Sequence, residues 1–565
     1  MRYPIASSLA GIGLGALLLT GCSVTDDSSS DATLTEQSTT DGATDGSKAT
    51  GAADAAADEE ASIDLTTLTE ATSVDDLDLE DVDLDADTAT VTAITLADGA
   101  SSVDGAGASV DGDTVTITAS GTYVLSGSLS AGQVVVDADN AQVTLVLDGA
   151  DITAADVAGI QVVNADWVVV DLADGSTNTV SDAAGAAESD EEDAPNAAIY
   201  ATSDLWITGS GALDVNGVAA DGITSKDSLV IDSGTVTVAA TDDGIRGKDH
   251  LVIGGGSVTV DSGGDSLKSD NEADADDASA LVGRIWISNG ALDLTSGSDA
   301  MDACNQVTIE GGDITIAAED DAVHADGILR VTSGTIDIIA SYEGLEGALM
   351  YLDGGSATVV SSDDGLNASD GSGSSEPAMG GGTDGARGGG MAPGGGGAGE
   401  QASDAAIEIT GGEWFINATG DGVDSNGNVS MTGGTVIVAG PTSNGNGAVD
   451  YNGTFQIDGG TLVATGSSGM AQAPDAGDQA VIGVSLGQTV AAGTAITVTD
   501  ADGDLIASIS PAKDTQTLVL SSPRLVTGDA YGVTFGGDVS GDDTFGLVTD
   551  GTLSGGESAG TIEAG

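Results

Sequence analysis

Carboxylates recur through the middle of this chain at a fixed spacing. Asp221-Gly222-Ile223, Asp243-Gly244-Ile245 and Asp265-Ser266-Leu267 are acidic-small-aliphatic triplets about 22 residues apart. They resume at Asp299-Ala300-Met301, Asp321-Ala322-Val323, Glu343-Gly344-Leu345 and Asp364-Gly365-Leu366, and again at Asp421-Gly422-Val423. A short fixed period means stacked units that share one core, so an acid repeated once per unit becomes a column. Two carboxylates about 5 Å apart repel by roughly 1 kcal/mol in water and several times that at an interfacial dielectric. Such a column calls for cations. Oxygen donors without Cys or His clusters select hard cations, and Ca²⁺ tolerates irregular shells of six to eight oxygens. The candidate ligands are Asp299, Asp302, Asp320, Asp321, Glu343, Glu346, Asp363, Asp364, Asn367, Asp421 and Asp424. Turn chemistry alone accounts for Asp243-Gly244. It does not account for acids on both sides of the aliphatic, as in Asp299/Asp302, Glu343/Glu346 and Asp421/Asp424. His324 reads as a surface polar residue rather than a ligand.

Alternation assigns directions. The aliphatic of each triplet points inward, so the next residue points out, giving the outer column Thr224, Arg246, Lys268, Asp302, His324, Glu346, Asn367 and Asp424. Four of the eleven basic residues, Lys226, Arg246, Lys248 and Lys268, fall on adjacent rungs. They either neutralise neighbouring acids or form a site for an anionic sugar, with Ca²⁺ bridging a uronate carboxylate. A second outer column runs through Trp206, Val230, Val252 and Trp286 and continues through Thr308, Arg330 and Tyr351. It predicts an exposed apolar stripe on which sugar rings stack at Trp206, Trp286 and Tyr351, unless an insertion or the N-terminal segment covers it. Trp414 falls on an inward position beside Ile416.

The elements that must position these residues are strands. Thr235-Val236-Thr237-Val238 and Ser257-Val258-Thr259-Val260 alternate with period two, and Gly, Asp and Asn punctuate such runs. Three short strands and three turns per unit predict an all-β fold, a right-handed parallel β-helix over 95–474. Rungs spaced by about 4.8 Å, roughly eleven or twelve of them, would make a rod on the order of 55 Å long. Insertions interrupt the period at about 181–195, 271–283 and 371–404, the last Gly-rich. Residues 475–565 lose the period and read as a small β module that caps an otherwise open strand edge. Cys304 is expected in the stacked core.

Composition bounds the partners. The 565 residues carry 92 acids against 11 Lys and Arg. Nucleic acid and anionic membrane surfaces are therefore poor partners, and cations good ones. Residues 1–22 read as a lipoprotein signal: Arg2, a short apolar run from Ile5 to Leu19, then Leu19-Thr20-Gly21-Cys22. Cys22 would carry the lipid, the sole membrane attachment, and place the protein on the extracellular face of a bacterial cytoplasmic membrane. Cys304 is then the only other cysteine, which leaves no intramolecular disulfide. Residues 23–94, rich in Ser, Thr, Asp and Ala, read as a solvated tether.

Several segments together resemble a known family. They are Gly121-Thr122-Tyr123-Val124-Leu125-Ser126-Gly127, Gln133-Val134-Val135-Val136, and the triplets followed by Ser225-Lys226-Asp227 and Gly247-Lys248-Asp249. Later come Gly440-Pro441 to Asp450-Tyr451, Gly459-Gly460-Thr461-Leu462 and Gly466-Ser467-Ser468-Gly469-Met470. Over roughly 95–540 the chain resembles the bacterial surface carbohydrate-binding β-helix proteins. The resemblance implies a pectate-lyase-like fold, calcium, and binding of cellulose and acidic sugars without established catalysis. It departs at Met301 and Val323, whose rungs have Ala in place of Gly, and at Cys304, which replaces the Ser/Gly-Lys turn. Three functions follow: a calcium-stabilised, non-catalytic binder of plant-type or acidic polysaccharide; a calcium-dependent uronate lyase with Arg246 or Lys248 as base; or a structural adhesin. The oligomeric state is not encoded in these patterns. The period of about 22 and the missing Gly-Gly-x-Gly-x-Asp repeat argue against the shorter calcium nonapeptide roll.

Overall fold

Each rung begins with a strand whose alternate side chains are aliphatic, and those side chains stack on their counterparts one rung away. In a computed structural model the described residues are 65, 68–80, 82, 91–154, 158–183, 194–271, 281–370, 402–475 and 477–565. They fall within one unit, 60–565. Asp204–Gly209, Leu229–Ile231, His250–Ile253, Arg284–Ile287 and Gln306–Ile309 pair in parallel, in register, as the first face. Ala212–Gly217, Thr235–Ala240, Ser257–Ser262 and Ala291–Ser296 make the second. Asp221–Ser225, Ile245–Gly247, Leu267–Ser269, Met301–Ala303 and His324–Ala325 make the third. The third face continues through Leu345–Glu346, Leu366–Ala368 and Val423–Ser425. This is the expected parallel β-helix.

The core follows from the register. Ile223, Ile245, Leu267 and Met301 lie one above another, each fully buried. Trp414 is buried too, with its Nε1 donating to the Gly411 carbonyl at 2.8 Å. Between the first and second faces the chain turns through a left-handed residue. Gly234 has φ 102° and Gly256 φ 84°, conformations that a Cβ would strain.

The far end is capped as the loss of period predicts. Thr515–Ser521 lies antiparallel on Thr461–Gly466, the last strand of the second face, and is itself covered by Val481–Val490. The open edge is thereby paired. Ile496–Thr499, Leu505–Ile509, Ala530–Phe535, Leu547–Val548 and Glu557–Glu563 form an antiparallel sheet with its own core, which also packs Ile437 and Val463 of the helix.

Two expectations are corrected. Residues 23–94 do not all act as free tether: 68–80 lie against the first face. Gln306 holds this strap at Ala71, its Oε1 accepting the Ala71 N–H and its Nε2 donating to the Ala71 carbonyl, both at 2.9 Å. Arg284 donates to the Thr69 carbonyl at 2.5 Å. Arg330 pairs with Glu70. Cys304 is half-buried at the bend after Met301–Ala303, not in the core, because Ala303 takes the inward position. The signal, Cys22 and most of the three insertions lie outside the described residues.

Candidate metal centre and carboxylate ladder

Parallel stacking in register turns the repeated acid into a ladder with a structural task. The triplet carboxylates of Asp243, Asp265, Asp299 and Asp321 each accept the backbone N–H of the next triplet acid, at 3.0, 3.0, 2.7 and 3.0 Å. Asp364 accepts the Asp421 N–H at 2.5 Å, and Asp421 accepts that of Gly447. A buried backbone donor left unpaired costs free energy, so each acid satisfies the turn of its neighbour. Asp221 starts the ladder differently, accepting from Asn196 at 2.6 Å and from Thr224 at 2.8 Å.

The outer column stands where alternation places it. Thr224 pairs with Arg246, Arg246 with Lys268, Lys268 with Asp302 and Asp302 with His324. Glu346, Asn367 and Asp424 follow in line. The charges along it change character midway. Lys268 reaches Asp265, Asp302 at 3.3 Å and Asp243 at 3.8 Å. Burial opposes its charge, but the three carboxylates outweigh burial and hold the amine above its ordinary value. Arg246 forms a two-point clamp on Asp270. His324 lies 3.5 Å from Asp321, 3.2 Å from Asp326 and 3.9 Å from Glu346. Burial is again outweighed by these acids, and the imidazole is held well above the usual histidine value. His324 is therefore a half-buried counter-ion, more integral than the surface residue its isolation suggested.

Beyond His324 the outer column carries no basic side chain among the described residues. None of the ion pairs among the described residues involves Asp364, Asp421 or Asp424. Yet each of the three offers an oxygen within 4.8 Å of the others. Burial, then repulsion from Asp364, Asp421 and Asp450, pushes Asp424 up to about 8. Burial and Asp421 push Asp364 up to about 7. Burial raises Asp421 to about 6, with Asp450 adding to the rise. One rung earlier Glu343 is pushed to about 8, chiefly by burial. Asn367 donates its amide to Glu343 at 2.7 Å and to Glu346 at 3.0 Å. The donor set fits a hard cation, being all oxygen, crowded, partly buried and uncompensated. Of the other expected ligands, Asp299, Asp320 and Asp321 also converge. Asp302 is instead engaged by Lys268. Asp363 lies beside the Tyr342 hydroxyl.

The expected sugar-binding surfaces are occupied from within. Trp286 is buried, its Nε1 donating to Glu310 at 2.9 Å, and Val230 and Val252 are buried with it. Ala71, Val74, Leu77 and Leu79 of the strap cover them, and Trp206 packs half-buried against the same cluster. The apolar stripe was thus correctly located but is not exposed, because the strap pairs its own apolar side chains with it. Tyr351 is half-buried, with the Arg330 guanidinium 4.2 Å from its ring centroid. In the basic group Arg246 and Lys268 serve neighbouring acids, and Lys226 is half-buried with a partner of its own. Lys248 is half-buried and makes no ion pair among the described residues. The residues that sequence reasoning passed over are His324 as counter-ion, the clamp partner Asp270, and Tyr342. The signal for the first was present, since His324 occupies the same column position as Lys268 and Arg246.

Comparison with known proteins bears on this frame. Residues 111–386 match the model of the family described as "Carbohydrate-binding domain-containing protein". A curated relative of that description from Acetivibrio thermocellus is 40% identical over 100 residues, covering 18% of this chain and 35% of the relative. The chain thus spans about a third of that relative's length. A solved structure described as a polysaccharide lyase-like protein from C. thermocellum, gadolinium derivative, is 31% identical with a TM-score of 0.41, covering 42% of this chain and 96% of that one. Residues 111–386 are thus similar to the carbohydrate-binding domain family.

Proposed function

We propose that this chain is a calcium-stabilised, non-catalytic carbohydrate-binding protein, lipid-anchored through Cys22 on the outer face of the cytoplasmic membrane. Its partner is a polysaccharide, cellulosic or uronate-containing. The observation that carries the calcium is the convergence of Asp364, Asp421 and Asp424, none of which takes part in an ion pair among the described residues. Those three carboxylates would hold the ion, with Glu343, Glu346 and Asn367 shaping the next rung. A bound Ca²⁺ supplies positive charge that offsets their repulsion and can meet sugar oxygens. Carbohydrate as partner is supported by the homology of 111–386.

Binding without catalysis is supported by the state of the candidate bases. Arg246 is clamped by Asp270 and held in its charged form, opposite to what proton abstraction requires. Lys248 lies on the rung of Arg246, several rungs from Asp364 and Asp424, on the order of 15 Å or more by strand spacing. The test is retention of the mature protein on cellulose and on immobilised polygalacturonate, with Ca²⁺ and with EDTA, while ultraviolet absorbance follows unsaturated lyase products. The expected result is retention without product. Steady product formation, lost in Arg246→Ala, would establish the lyase instead.

A further inference from the structure

One aromatic side chain among the described residues is exposed and makes no ring contact. The residue preceding each triplet acid sits at the turn between the second and third faces. It is small or acidic at Asp242, Gly264, Ser298, Asp320, Asp363 and Gly420. At the corresponding place on one rung stands Tyr342, 46% exposed. The other exposed aromatic among the described residues, Phe545, already spends one face on Phe415, with centroids 4.8 Å apart and planes 7° from parallel. Tyr342 makes no ring contact among the described residues.

The backbone beneath this ring is fixed. The Tyr342 N–H donates to the Asp320 carbonyl at 2.8 Å, and the Tyr342 carbonyl accepts from Asp363 at 2.9 Å. Just before it the second face breaks register: Ile316 pairs with Ile338 but Ala317 with Ala340, leaving Ile339 unpaired and 54% exposed. Such irregularities re-aim side chains beside functional surfaces. The phenol lies beside the Asp363 carboxylate. Asp320, exposed, and Asp363, half-buried, stand one rung to either side, about 4.8 Å away by strand spacing.

We propose that Tyr342 is a sugar-stacking platform for a neutral polysaccharide, with Asp320 and Asp363 accepting hydroxyls from the ring that lies on it. An aromatic face takes the apolar side of a pyranose, and ionised carboxylates are the stronger acceptors for its hydroxyls. The ligand is neutral because a formal net charge of −81 repels a polyanion, and His324, the cation on the preceding rung of the outer column, is already shared among Asp321, Asp326 and Glu346. The proposal rests on the carbohydrate-binding reading above and assigns it a site away from the covered stripe.

The test uses the mature chain with Ca²⁺ present. Affinity electrophoresis in hydroxyethylcellulose and calorimetry with cellohexaose compare wild type with Tyr342→Ala, Tyr342→Phe and the control Phe545→Ala, thermal melts confirming that each folds. The expected result is a loss of about tenfold in Tyr342→Ala, little change in Tyr342→Phe or Phe545→Ala, and affinity insensitive to salt. Three results would overturn the proposal while leaving carbohydrate binding intact: Tyr342→Ala binding like wild type, Tyr342→Phe as weak as Tyr342→Ala, or a wild type that binds polygalacturonate but no neutral glucan. A wild type that binds no glycan overturns both this site and the reading beneath it.

Discussion

The two halves of the carboxylate column solve one electrostatic problem in different ways. From Asp221 to Asp326 the acids are interleaved with Arg246, Lys268 and His324, so the neutralising charge is part of the chain. From Glu343 to Asp424 the same outer column carries Glu346, Asn367 and Asp424, and none of the ion pairs among the described residues involves Asp364, Asp421 or Asp424. A side-chain cation fixes the charge at synthesis. On the proposed calcium reading, an acid in its place would make that part of the rod depend on what the surroundings supply, and its stability would report an ion.

Removing a built-in cation should have the largest effect. Lys268→Met leaves Asp243, Asp265 and Asp302 facing one another without their shared amine. Breaking a buried pair by deleting one partner costs about 3 kcal/mol, and the loss should appear in denaturant unfolding even with Ca²⁺ present. An undiminished midpoint would show that the first half, too, relies on outside ions.

Asp424→Asn should act with opposite signs in two buffers. In EDTA at pH 8.5 it removes a buried, repelled charge and should raise stability by about 1 kcal/mol. In Ca²⁺ it removes a ligand and should shrink the stabilisation the ion confers. A change of the same sign in both buffers would argue that Asp424 does not touch the ion.

The smallest effect concerns pH. Burial and the neighbouring Asp227 push Asp204 up to about 7, and burial raises Asp221 to about 6. The folded chain then holds protons that the unfolded chain, near 3.8, has released. Because the native state binds more protons in this window, the contribution of these two acids to stability falls as pH rises from about 4 to about 7 and is level above it. Asp204→Asn keeps the oxygen that accepts the Ser228 N–H and should flatten part of that slope in melts recorded in EDTA. A slope unchanged by the substitution would place the titration elsewhere.

Much of this was legible in the sequence, for a physical reason. In a parallel stack, equivalent residues sit over one another, so a repeat such as Ile223, Ile245, Leu267 reads out the core, and its C-terminal neighbours read out the outer column. The strap was not legible. Its apolar residues Ala71, Val74, Leu77 and Leu79 follow no strand period, and its bond to Gln306 spans 235 positions. Nothing local in Trp206 or Trp286 announces that cover. The second duty of the triplet acids, accepting the next rung's N–H, was also hidden, since Asp-Gly is equally good turn chemistry. Cys304 was misplaced for a related reason: at the bend after Ala303, alternation no longer assigns a side.

The central claim is that the second half of the column depends on calcium. Thermal melts of the mature chain at low ionic strength, in Ca²⁺, in matched Mg²⁺ and in EDTA, test it most directly. The account predicts stabilisation of about 2.7 kcal/mol at a hundredfold excess of Ca²⁺ over its dissociation constant, a smaller gain from Mg²⁺, and loss of the difference in Asp364→Asn/Asp424→Asn. Identical midpoints in Ca²⁺ and EDTA, or equal shifts with Mg²⁺ that persist in the double variant, would contradict it.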